Sequence, residues 1–201
     1  MLHPDDVKGF LAKEEGDELA RLAREAGTLG PALEIGTYCG KSALYLGPAA
    51  REAGTVLYTL DHHRGSEEHQ PGEEYHDPEL YDAEIGAVET LGALRHTLFR
   101  AALEDCVIPL IGRSSIVAAN WTTPLGMLFI DGGHSMEAAL ADYRGWAGRV
   151  VTGGILAIHD VFPNPEDGGR PPYEIWKLAM ASGLFEQVRR VGTLEVLRRL
   201  A

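Results

Sequence analysis

Short apolar runs recur along the chain, and between them the apolar positions switch to helical spacing. The runs at 32–36, 55–61, 107–112, 126–131 and 154–160 read as buried strands. Segments 5–27, 41–53, about 83–104, 114–119 and 135–149 read as helices. In the first of these, Phe10-Leu11, Leu19, Leu22-Ala23 and Ala26 form a broken apolar stripe, and Gly27 and Gly30-Pro31 end it. Strand alternating with helix predicts parallel βαβ units and a sheet covered on both faces. The tail departs from that rhythm. A helix over 172–182 is followed by apolar runs at 185–191 and 194–200, separated by Gly192-Thr193. That pattern predicts an antiparallel pair at the sheet edge. The expectation is an α/β chain forming one domain over 1–201, with helices in 1–30 preceding the first strand.

One long segment carries no periodicity. From 62 to 82 the chain is rich in His, Glu and Gly and is punctuated by Pro71-Gly72 and Asp77-Pro78. It follows the second strand, at the carboxyl end of the sheet where open α/β folds bind ligands, so it reads as a lid or substrate-facing insertion. His63, His69 and His76 are expected to be solvated there, and Tyr75 and Tyr81 are placed to face an aromatic substrate.

The most informative stretch is Leu33-Glu34-Ile35-Gly36-Thr37-Tyr38-Cys39-Gly40, followed by Lys41-Ser42 and helical character. A strand turning through glycines into a helix suits a nucleotide-like cofactor. A dinucleotide loop wants G-x-G-x-x-G, but Tyr38 stands where its second glycine would be. A phosphate-binding P-loop needs one more residue before Gly40-Lys41-Ser42. What remains, E-x-G-x-x-x-G, resembles the first motif of class I S-adenosylmethionine (SAM)-dependent methyltransferases. On that resemblance Gly36, Thr37, Tyr38, Gly40 and Ser42 line the cofactor and Glu34 shapes the loop. Asp61, at the end of the second strand, would bind the ribose hydroxyls, with His62 beside it. Arg113 and Ser114, after the third strand, would approach the adenine; alternatively, Ser114 caps the next helix. The fold implied is a three-layer, doubly wound, seven-stranded, mostly parallel sheet with a C-terminal antiparallel hairpin.

Two further motifs carry chemistry: Asp131-Gly132-Gly133-His134 after the fourth strand and Gly153-Gly154 through His159-Asp160 at the fifth. Together with the aromatic-containing helix between them they resemble a small-molecule O-methyltransferase group with D-G-x-H after strand four. Methyl transfer requires an aligned nucleophile that has lost its proton. Either His134 or His159 acts as general base, or a divalent cation such as magnesium, bound by Asp131 and Asp160 with His159, lowers the pKa of a hydroxyl. Asp131 also borders the cofactor in this reading. Related enzymes carry Asp-Asp or Asp-Asn at the second strand end. His159-Asp160 departs from that pattern and favours a softer ion or none.

Charge narrows the partners. The net charge is −12, from 18 basic and 30 acidic residues, which disfavours a nucleic-acid substrate. The basic pairs Arg189-Arg190 and Arg198-Arg199 are expected on exposed strand positions. No run approaches the ~20 apolar residues of a membrane span. The two cysteines, Cys39 and Cys106, suggest neither a disulfide framework nor a zinc site. They read as buried fillers, while Trp121, Trp146 and Trp176 read as packing residues. The combined expectation is a cytoplasmic methyltransferase acting at oxygen on a small molecule, with a homodimer as an open option. The alternatives from other classes are an NAD-dependent oxidoreductase, a non-catalytic cofactor-binding module and an iron oxygenase on the same scaffold.

Overall fold

The computed structural model describes residues 2–164, 166 and 169–201. A single turn of 3₁₀ helix at Pro4–Asp6 precedes α1 (Lys13–Ala26), β1 (Ala32–Ile35), α2 (Ala43–Glu52) and β2 (Leu57–Asp61). A small hairpin, β3 (Tyr81–Asp82) and β4 (Ala87–Val88), leads into α3 (Leu91–Ala101) and β5 (Val107–Ile111). Then come α4 (Ser114–Ala119), β6 (Leu125–Ile130), α5 (Met136–Trp146), β7 (Val150–Ile158), α6 (Pro171–Ala181), β8 (Phe185–Val191) and β9 (Leu194–Arg199).

Alternate residues of each central strand feed opposite helical layers, as the period of two requires. Leu33, Ile35, Leu128, Ile130, Leu156 and Ile158 pack with Ala118, Trp146 and Ile175 of α4, α5 and α6. Ala32, Met127, Phe129 and Ala157 pack with Leu19, Leu46 and Leu94 of α1, α2 and α3. The seven-stranded sheet runs β5-β2-β1-β6-β7-β9-β8, parallel through β7 and antiparallel at β7-β9 and β9-β8. This is the α/β architecture that the sequence resemblance implied, hairpin included.

The sequence reading differs in three places. The helix expected from residue 5 begins at Lys13. The helix expected from about 83 begins at Leu91, because 81–88 form the β3–β4 hairpin instead. Asp82 Oδ1 accepts from the backbone N–H groups of Glu84 and Ile85 at 2.8 and 3.3 Å, which closes that turn. Glu89 then caps α3 by accepting from Leu91 N at 2.8 Å and Gly92 N at 3.2 Å. The last parallel strand runs from Val150 to Ile158, so His159 and Asp160 lie just beyond it.

Strand order reverses between β1 and β6: from β1 the chain works outward to β2 and β5, then returns to β6 and β7. Loops leaving the carboxyl ends of such neighbours open a crevice. Gly36 turns out of β1 with φ 89°, and a β-carbon there would lie 1.9 Å from the Asp131 carbonyl oxygen. Only glycine permits both the dihedral and the approach. Replacing it, Gly36→Ala, should cost about 2 kcal/mol or more of stability. Urea unfolding reads this directly; a change under about 0.5 kcal/mol would show that the two loops are free to separate.

Candidate active site

The loop after β1 is organised by Asp61 at the end of β2. Its Oδ2 accepts from the backbone N–H groups of Thr37 (3.0 Å) and Tyr38 (2.9 Å), and its Oδ1 from that of His63 (2.7 Å). These bonds hold Tyr38 and His63 in left-handed backbone, with φ 50° and 57°, a conformation that is unfavourable for such side chains. Gly40 serves packing: a β-carbon there would meet Leu94 of α3 at 2.7 Å.

Beneath the loop, Glu34 of β1 is completely buried, and neither carboxylate oxygen has a hydrogen-bond partner. Burial pushes its pKa up to about 8. The nearby Ser42 and Thr37 hydroxyls counter part of this shift without reaching hydrogen-bond geometry, and the Asp131 and Asp61 carboxylates add to it. Glu34 is therefore a neutral acid at pH 7, in contact with the underside of the loop.

Across the crevice, four residues predicted from sequence come together at the ends of β6 and β7. His159 is buried, with Nδ1 2.8 Å from Asp131 Oδ1 and 3.4 Å from Asp160 Oδ2. Its Nε2 lies 2.9 Å from Oε2 of Glu15, which comes from α1. Burial opposes charge on the ring, but the Asp131, Asp160 and Glu15 carboxylates outweigh it and raise the pKa far above the usual histidine value. His134 is more open, its side chain 29% exposed against 4% for His159. Its Nε2 lies 3.2 Å from Asp160 Oδ2 and its Nδ1 3.4 Å from Glu68 Oε2. Those bonds to Asp160 and Glu68 push its pKa up to about 10. For Asp160, burial is outweighed by the two imidazoles, which lower its pKa below the carboxylate range. Asp160 also holds left-handed backbone, φ 54°.

One nitrogen and two carboxylate oxygens from Asp131, His159 and Asp160 lie within 4.8 Å of one another. This mixed set fits a divalent ion, with imidazole added to the oxygen donors that a magnesium site prefers. A void of only about 10 Å³ lies against Asp131, His134 and His159. A groove of about 410 Å³ opens beside Tyr38, bordered by Lys8, Phe10, Tyr75 and His76. There Phe10 meets Tyr75 edge-on at 5.2 Å, and His69 lies 5.1 Å from the Tyr38 ring.

Residues 33–161 match the family described as "Methyltransferase domain". The chain belongs to that family.

Solved structures share the methyltransferase fold at low identity. NovP, an O-methyltransferase, aligns with TM-score 0.72 and 14% identity over 94% of this chain and 80% of its own. The Bacillus cereus O-methyltransferase in complex with SAH gives 0.67 and 18%, over 96% and 83% of the two chains. TomG from Streptomyces achromogenes, an O-methyltransferase of tomaymycin synthesis solved with SAM, gives 0.66 and 16%, over 96% and 82%.

Several sequence expectations change within this methyltransferase domain. Both ring nitrogens of His159 are engaged by carboxylates, Nε2 by Glu15 and Nδ1 by Asp131, so this arrangement leaves no free nitrogen to take a proton from a substrate. Ser42 is buried under the loop beside Glu34. His62 is exposed, its Nδ1 accepting from Arg64 N at 3.1 Å, and Arg113 is exposed as well. Ser114 is not a helix cap: that position is Arg113, and the Ser114 hydroxyl accepts from Trp146 Nε1 at 2.8 Å. Ser114 also lies against Asp142, whose pKa burial pushes up to about 6. His63 is not solvated; it is buried with Nδ1 2.7 Å from the Thr90 hydroxyl. His69 is half-buried, its Nδ1 2.6 Å from the Ser66 hydroxyl. Cys39 and Cys106 are free and buried, and burial pushes the Cys39 thiol up to about 12. Among the described residues no helix is long and apolar enough to cross a membrane. Sequence reasoning missed Glu15 and Glu68, the outer partners of the two histidines.

Glu34 yields a pH dependence. Its folded pKa of about 8 exceeds the ordinary 4.5, so its contribution to stability is complete below pH 4.5 and is lost as pH rises through 8. Thermal melts between pH 6 and 9 should show the parent protein losing Tm relative to Glu34→Gln. Parallel curves for the two proteins would mean that Glu34 is ionised throughout.

Proposed function

We propose that this chain transfers the methyl group of SAM to an oxygen of a small, flat aromatic molecule. The observation that carries this reading is the crevice at the β1/β6 reversal, where the Asp61-organised loop faces the Asp131-His134-His159-Asp160 cluster. Thr37, Tyr38 and the remaining lone pairs of Asp61 would hold the cofactor, with Gly36 admitting it close to the backbone. His62 stays beside Asp61 on the ribose side, and Arg113 and Ser114 keep the adenine side of the proposal; Ser114 contributes there only if it gives up its indole bond. SAM supplies an electrophilic methyl carbon to this site.

Asp131, His159 and Asp160 would hold a divalent cation, whose chemistry is to stabilise an acceptor hydroxyl as its anion. His134 stands at the open edge of the cluster, in contact with Asp160 and with Glu68 of the 62–82 segment. It is the more open of the two imidazoles, and it takes a substrate proton only in its neutral form, when its contacts to Asp160 and Glu68 loosen. Phe10, Tyr38 and Tyr75 offer ring faces and edges to an aromatic acceptor in the groove, whose volume lies within the range of small-molecule sites. The 62–82 segment then acts as the lid over the acceptor.

Calorimetric titration with SAM and SAH tests the cofactor assignment. Saturable one-to-one binding is expected, and no binding tighter than about 1 mM overturns the reading. Release of SAH over a panel of phenols and catechols tests the reaction. With the best acceptor, His134→Ala should lower kcat by ~100-fold or more while SAH affinity stays at the parent value; unchanged turnover would remove His134 from the proton path.

A further inference from the structure

Glu15 is a buried acid on the N-terminal helix, and four donors surround its carboxylate. Oε1 accepts from Thr193 N at 2.8 Å and from the Thr193 hydroxyl at 3.0 Å, in the turn between β8 and β9. Oε2 accepts from Ala12 N at 3.2 Å and faces His159 Nε2 at 2.9 Å. A carboxylate filled in this way has no proton to give, so the proton on that contact belongs to His159 Nε2. The opposite nitrogen, Nδ1, is then left facing Asp131 Oδ1 and Asp160 Oδ2, both of them acceptors. Three acceptors turned toward one point require a cation between them, either a proton or a metal ion. Gly192 gives an independent sign that Glu15 belongs in this position. It adopts φ 56°, and a β-carbon on it would lie 2.6 Å from Glu15 Oε1, so the hairpin turn is shaped to admit the carboxylate.

We infer that Glu15 is a positioning residue that fixes His159 as an Nδ1 ligand and so makes the Asp131-His159-Asp160 site select a divalent first-row transition ion over magnesium. This rests on the proposed reading of the strand ends as an ion site. The physical basis is general. A ligating imidazole is held in one tautomer by a carboxylate on its other nitrogen, and nitrogen donors favour transition ions whereas magnesium prefers oxygen.

The test uses the full chain, stripped with chelator and titrated calorimetrically with manganese, cobalt and magnesium chlorides, then with SAH in the same cell. The parent protein should bind one manganese or cobalt ion at least ~10-fold more tightly than magnesium, and the cobalt complex should show the visible absorption of nitrogen and oxygen ligation. In Glu15→Gln the amide oxygen can still serve Thr193, but its N–H group meets Nε2 and drives the ring proton onto Nδ1. Cobalt affinity should fall ~10- to 100-fold and magnesium affinity by less, with SAH affinity at the parent value. A purely structural Glu15 would not produce that split. Should Glu15→Gln fail to fold, His159→Asp decides: an all-oxygen set should close the gap between cobalt and magnesium. Equal affinities for the three ions in the parent, no ion binding, or a Glu15→Gln protein with parental cobalt affinity each overturns the inference. If SAH binds while the ion result fails, only this inference falls; if SAH does not bind either, the proposed function falls with it.

Discussion

Three carboxylates, from Glu15, Asp131 and Asp160, converge on one buried imidazole, and the organisation of the crevice follows from the need to neutralise them. Negative charge gathered away from water is tolerated only with a cation at its centre. His159 is that cation when it carries both protons. Glu15 brings α1 into the same contact that joins the ends of β6 and β7. The same need for a cation explains why Asp160 keeps an unfavourable left-handed backbone: two imidazoles hold its carboxylate.

Glu34, on the other side of the crevice, shows the opposite solution. It has neither a cation nor a hydrogen-bond partner, so burial leaves it protonated. Glu34 and Asp160 thus differ in charge because their surroundings differ. Asp61, in contrast, spends its charge on backbone N–H groups and pins the loop that Glu34 supports from below.

The sheet and its hairpin were legible in the sequence because burial on two faces writes a period of two into every central strand, and glycine breaks mark the turns. The carboxyl-end residues were legible for the same reason: strand ends in a parallel sheet fall on one edge. The β3–β4 hairpin was not, because two-residue strands have no period, and the closing interactions are side-chain caps from Asp82 and Glu89. His63 looked solvated because its neighbours are polar; only the tertiary contact with Thr90 buries it. Glu15 left a trace that could have been followed. It stands four residues before Leu19 and seven before Leu22, so an acid sits on the apolar stripe of α1. An acid on a buried stripe asks for a partner, but which strand end supplies it depends on where α1 docks.

That docking joins distant parts of the chain. Glu15 and Thr193 are separated by 178 positions, yet one carboxylate serves both the β8–β9 turn and His159. During synthesis the Gly36 loop and the β6 end can form early, while Glu15 waits for the turn that completes its set of donors. A nascent chain halted before β9 would thus carry the sheet's parallel half with its histidine unclamped. The clamp on His159 therefore closes only once α1 and the β8–β9 turn have met.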